Sequence, residues 1–99
     1  MLIGCPKEIK NHEYRVGLTP ESARELARHG HEVWIESGAG LGIDATDEEY
    51  RTAGAKIVEG PDKIFAGCEM VVKVKEPQAG ERSKLREGQI LYTYLHLAP

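Results

Sequence analysis

One ordering of signals constrains this chain more than any other: a complete helix signal lies between two strand-like runs. Thr19-Pro20-Glu21 offers a hydroxyl to cap orphan amides, a proline at the first helical position and an acid at the positive end of the helix dipole. Gly30 stops the helix about three turns later. Its inward face carries Ala23, Leu26 and Ala27, and its wet face Arg24, Glu25 and Arg28. The apolar run Met1 to Cys5 precedes it, and His31 to Glu36, which alternates polar and apolar residues, follows. A helix between two such strands implies a right-handed parallel crossover.

The same alternation continues. In Thr46-Asp47-Glu48-Glu49 the Thr46 hydroxyl can reach the amide of Glu49 while the Glu49 carboxylate reaches back, which starts a short helix to Ala53. Lys56 to Val58 is a third strand, and Gly60-Pro61 opens another short helix that Gly67 stops. Met70 to Val74 is a fourth strand. Pro77 to Gly88 is a polar connection with room for one helical turn, and Ile90 to Tyr94 is the fifth strand. The pattern predicts an α/β fold, an open parallel sheet of about five strands with flanking helices. A crossover helix would normally cover the sheet after the last strand, but the sequence stops at Leu97-Ala98-Pro99 and so reads as truncated.

The 99 residues suffice for one domain with a single core, and are too few for a cofactor domain plus a substrate domain. A net charge of -3 opposes nonspecific binding to nucleic acid. No apolar stretch approaches the roughly 20 residues needed to cross a bilayer, and the N-terminus lacks a secretory core. The expectation is a cytoplasmic protein with no membrane partner. Cys5 and Cys68 fall within or beside apolar runs, as buried free thiols do. Neither they nor His12, His29, His31 and His96 have the spacing of metal ligands, so no metal is expected.

Three side chains stand out at strand ends. The run Met70 to Pro77 ends an apolar strand in lysines and then breaks, which places Lys75 outside the carboxyl end of a parallel strand, where ligands gather in such sheets. Arg15 sits in the loop after the first strand, and a guanidinium there could grip a carboxylate with two parallel hydrogen bonds. His96 lies at or just past the end of the last strand, and an unperturbed imidazole pKa of about 6.5 suits proton transfer near neutral pH. Each has a plainer reading: a solvated arginine, a solvated lysine, a core histidine satisfied by backbone. Lys73 and Lys75 share one strand face, so one of the two could simply be solvated. Their shared position at strand ends raises them together. Ser37 to Gly42 looks like a dinucleotide loop, but the third glycine of a GxGxxG register falls at Ile43 and the next helix starts only near Thr46. A tight structural loop is the favoured reading, and no cofactor-binding residue is assigned.

Several segments together carry a resemblance: Ile3 to Lys10 with Arg15-Val16-Gly17-Leu18-Thr19-Pro20, Glu36 to Gly40, Val72 to Pro77, and Tyr92 to Ala98. In that order and without a gap they resemble the N-terminal segment of the alanine dehydrogenase and nicotinamide nucleotide transhydrogenase family, on its alanine dehydrogenase branch. The resemblance implies a flavodoxin-like or Rossmann-like substrate domain and the reversible, NAD-dependent conversion of L-alanine and water to pyruvate and ammonium. It also implies roles. Arg15 and Lys75 hold the substrate carboxylate and oxygen, Lys75 and His96 are catalytic, and His96 is the acid/base group as the carbinolamine forms and collapses. The transhydrogenase branch is similar in its opening motif and glycine loop but lacks the lysine and histidine motifs, which this chain has.

The family's nucleotide-binding domain, with its dinucleotide fingerprint and catalytic aspartate, has no counterpart in this sequence, nor has the return segment that completes the first domain. Residues 1–99 are therefore expected to be part of a substrate domain, with NAD bound elsewhere in the parent enzyme and not tightly here, and to be inactive in isolation. The alternative is a non-catalytic, self-associating α/β module. An uncovered apolar sheet predicts homo-oligomers, possible as dimers of this chain, in either case.

Overall fold

The computed structural model describes residues 1–10 and 12–94. Five strands alternate with four helices: β1 (Leu2–Cys5), α1 (Pro20–Arg28), β2 (Glu32–Glu36), α2 (Asp47–Thr52), β3 (Lys56–Val58), α3 (Pro61–Gly67), β4 (Met70–Lys73), α4 (Ala79–Arg82) and β5 (Ile90–Thr93). A single 3-10 turn, Leu41–Ile43, lies between β2 and α2. All pairings are parallel, and the strand order is β3-β2-β1-β4-β5. The expected sheet is thus observed, with β4 and β5 each ending one residue earlier than the sequence suggested.

The helices start where their caps dictate. Thr19 Oγ1 accepts the Ser22 amide at 3.2 Å, and Pro20 occupies the first turn of α1. At α2, Thr46 Oγ1 accepts the Glu49 amide at 3.1 Å while Glu49 Oε1 accepts the Thr46 amide at 2.9 Å, the reciprocal box that the sequence predicts. The end of α3 is finished from a distance. Arg86 Nη2 and Gln89 Nε2 each donate to the Cys68 carbonyl at 2.8 Å, and Gln89 Nε2 also donates to the Phe65 carbonyl at 2.8 Å. The polar connection before β5 therefore also caps α3.

Two cores lie on the two faces of the sheet. On one face, α1 and α2 bring Ala23, Tyr50 and Ala53 against Ile3, Cys5, Val33, Ile35 and Val72. On the other, Ile64 and Phe65 of α3 pack with Cys68, Val71 and Val58. Of the predicted inner face of α1, Ala23 is fully buried and Leu26 and Ala27 are partly so. Full burial of a side chain such as Ile35 contributes about 1.5–3 kcal/mol. Cys5 and Cys68 are buried and unpaired, and burial raises their thiol pKa values to about 12 and about 11, so neither is a thiolate at neutral pH. At the outer edge, β5 leaves Ile90, Leu91 and Tyr92 exposed, and Tyr94 just past it is exposed as well.

This strand order creates one special crevice. From β1 the chain crosses outward to β2 and β3, whereas from β4 it crosses the other way to β5. The carboxyl ends of β1 and β4 are therefore neighbours whose following loops diverge, the switch point at which open α/β sheets bind ligands.

Candidate functional site

Three carboxylates organise that crevice, none of which the sequence reading singled out. Glu8, just past β1, has a side chain only 2% exposed. Its Oε2 accepts the Val74 amide at 2.9 Å, and its Oε1 accepts the Lys75 amide at 3.2 Å and Lys73 Nζ at 3.2 Å. Glu81 of α4 supplies the second acid: Oε2 takes Lys73 Nζ at 3.1 Å while Oε1 takes the Gln78 amide at 2.9 Å. Lys73 is thus a buried cation between two buried carboxylates, and its role is to lock the end of β4 to the loop after β1. Neither lysine of the pair is freely solvated. β4 ends at Lys73, so Lys75 leaves the strand alternation, and its side chain is only 17% exposed.

The third carboxylate is Glu13. Its Oε2 accepts Arg15 Nε at 3.0 Å and the Arg15 amide at 2.9 Å, and its Oε1 accepts Arg15 Nη2 at 3.0 Å. Lys75 Nζ stands 3.9 Å from the same Oε1. The Arg15 guanidinium bound to it holds the Glu13 carboxyl below its ordinary 4.5. Arg15 and Lys75, predicted from separate strand ends, are brought together through this one acid. His96 lies outside the described residues.

A cleft of about 230 Å³ opens between the Arg15 loop and the glycine loop, lined among others by Glu13, Arg15, Gly38 and Gly42. The glycines here serve the backbone. Gly38 adopts φ 82°, and a Cβ at Gly42 would run into the Tyr14 carbonyl, so only glycine allows the two loops to touch. The amides of Leu41, Ile43, Asp44 and Ala45 donate to carbonyls within the loop, that of Ala39 donates to the Glu36 carbonyl at the end of β2, and the Gly38 amide donates to Asp47 Oδ1 at 2.9 Å.

Asp47 ties this loop to α2, since its Oδ2 also accepts Ser37 Oγ at 2.6 Å. The Gly38 amide, and then the Ser37 hydroxyl, hold its carboxyl below the ordinary 3.8. A lowered folded-state pKa adds stability that is present above 3.8 and is lost as pH falls through the folded value. Asp47→Asn is therefore expected to lower the melting temperature at pH 7, with the gap to wild type closing as pH drops below 3.8. A gap that stays constant down to pH 2 in thermal melts would show that the charge on Asp47 contributes nothing.

Residues 4–99 match the family model described as alanine dehydrogenase/PNT, N-terminal domain. The chain belongs to this family. Alanine dehydrogenase of Methanococcus maripaludis is 56% identical over the whole chain, and that of Bacillus subtilis is 51% identical over 99% of it. A solved L-alanine dehydrogenase superposes with a TM-score of 0.92 at 50% identity over 98% of the chain. The transhydrogenase from Sinorhizobium meliloti gives 0.89 at 32% identity over 96%. The chain spans about a quarter of the length of these relatives, 26% of the two dehydrogenase sequences and 27% of both solved chains. Sequence identity thus places it nearer the alanine dehydrogenases in this alanine dehydrogenase/PNT family, as the lysine and histidine motifs suggested.

Proposed function

We propose that residues 1–99 are the substrate-binding portion of an NAD-dependent L-alanine dehydrogenase, with the nucleotide bound by sequence outside this segment. The observation that carries the reading is the convergence of Arg15 and Lys75 on Glu13 at the switch point of the sheet. Two cations there suit a small 2-oxo acid such as pyruvate. Arg15 offers a planar fork to the carboxylate, and Lys75 a point charge to the carbonyl oxygen, which favours attack on the adjacent carbon. His96 is assigned the acid/base role. Free thiols at Cys5 and Cys68 fit a reducing cytoplasm, and among the described residues no helix is long and apolar enough to cross a membrane.

A two-dimensional amide NMR titration with pyruvate tests the reading. Saturable shifts are expected in the loops around Arg15 and Lys75, with none on adding NADH, and Arg15→Met should weaken pyruvate binding about tenfold or more. A well-dispersed spectrum that pyruvate leaves untouched would sink the substrate reading for this chain. The pure chain should form no NADH from alanine, and measurable turnover would overturn the assignment of nucleotide binding to other sequence.

The exposed apolar residues of β5 favour self-association in addition. Light scattering on the same samples is expected to show a dimer or larger species at high concentration. A monodisperse monomer there would remove the self-associating module as a second reading.

A further inference from the structure

We propose that Glu13 is a positioning residue: its buried carboxylate grips the Nε–Nη2 edge of the Arg15 guanidinium and so presents the adjacent Nη1–Nη2 edge to a substrate carboxylate. The proposal rests on the substrate reading of Arg15 and Lys75 given above. Its basis is the way the donors of Arg15 are divided. Nε and one N–H of Nη2 go to Glu13, and the Arg15 amide goes to the same carboxylate. Nη1 has no protein acceptor among the described residues, so Nη1 and the second N–H of Nη2 remain as a complete fork for a bidentate ligand. Exposure divides the pair in the same way. The Glu13 side chain is 4% exposed and that of Arg15 62%, so the acid is beneath and the guanidinium faces outward.

Glu13 does not compete for the edge the substrate would use. It also stands 3.9 Å from Lys75 Nζ, so one acid sets the spacing of both cations. Neither cation is supported by its own strand: Arg15 is in a long loop and Lys75 lies beyond the end of β4. A long side chain left to rotate freely loses rotamer entropy when it binds, whereas one already held in place loses less.

The sign of one effect separates positioning from bulk electrostatics. Glu13→Gln removes a negative charge next to an anion site, which by Coulomb attraction alone would strengthen pyruvate binding. Positioning requires the reverse. The test uses the full 99-residue chain, labelled with nitrogen-15, as wild type, Glu13→Gln and Glu13→Asp, the last serving if the glutamine variant does not fold. The Arg15 Nε–H signal, assigned through Arg15→Lys, is expected to move to the position of solvated arginines in the variants. The amide spectrum away from residues 12–16 should be unchanged, and pyruvate affinity should fall about tenfold, the equivalent of one charge-assisted hydrogen bond. An unmoved Nε–H signal, or affinity that is unchanged or increased, overturns the proposal. If wild type itself ignores pyruvate, the substrate reading fails, and the Nε–H signal alone then decides whether Glu13 holds Arg15.

Discussion

Lys73→Met is expected to destabilise the fold by about 3–5 kcal/mol, the usual result of removing one partner from a buried ionic cluster. Methionine nearly keeps the shape of lysine, so packing changes little. What changes is that Glu8 and Glu81, whose side chains are 2% and 3% exposed, face the same buried space without the ammonium between them. Domains of this kind have only about 5–15 kcal/mol in total, so the variant should unfold at much lower urea, with the slope of the transition unchanged. The paired substitution Lys73→Met with Glu81→Gln should recover part of the loss, because one of the uncompensated charges is gone. A single variant whose urea midpoint matches wild type would show that the cluster contributes no net stability.

The second large effect falls on Gly42. An alanine Cβ there overlaps the Tyr14 carbonyl oxygen and lies 2.8 Å from the Tyr14 carbonyl carbon, so backbone must move on one side or the other. Such overpacking costs about 1–3 kcal/mol. Tyr14 directly precedes Arg15, so Gly42→Ala should shift the amides of Tyr14 to Val16 and weaken the pyruvate response as well. Gly80→Ala is the control. Nothing lies within 4 Å of a Cβ at Gly80, which is in α4, and replacement there should be neutral or stabilising by about 0.5–1 kcal/mol. Equal melting temperatures for the Gly42→Ala and wild-type chains would refute the close approach of the two loops.

The elements were legible because each carries local chemistry. Thr19-Pro20, the Thr46–Glu49 box and the Gly60-Pro61 start are all signals within four residues, and the parallel sheet follows once helices separate the strands. The family, too, could be read from segments spread along the chain. What escaped was the set of side-chain contacts that organise the crevice. Glu8 was quoted only as part of a motif, although it binds the end of β4 across 65 to 67 positions. Nothing in the local sequence of Glu13 says that Arg15 and Lys75 meet on it. The role of Lys73 stays open in the sequence for a related reason, since strand periodicity gives its face but not the two acids that meet it there. A lysine flanked by valines at a strand end is the signal that could have found the cluster, because such a position is dry unless the strand is at an edge.

The pairing of β1 with β4 has a consequence for how the molecule assembles. Ile3 aligns with Met70 across 67 positions, the longest closure in the sheet, whereas β1 to β2 and β2 to β3 close over far shorter spans. Longer closures lose more chain entropy before any contact repays them, so the first three strands should form before β4 docks. At that stage Arg15, Glu13 and the glycine loop would already be near one another, while Glu8 would have no strand end to hold. Pulse-labelled hydrogen exchange should then protect the amides of Val33 and Ile35 earlier than those of Val74 and Lys75, and the opposite sequence of protection would refute this order. The crevice between the carboxyl ends of β1 and β4 takes shape only when β4 docks, so its presence reports that the longest closure in the sheet has been made.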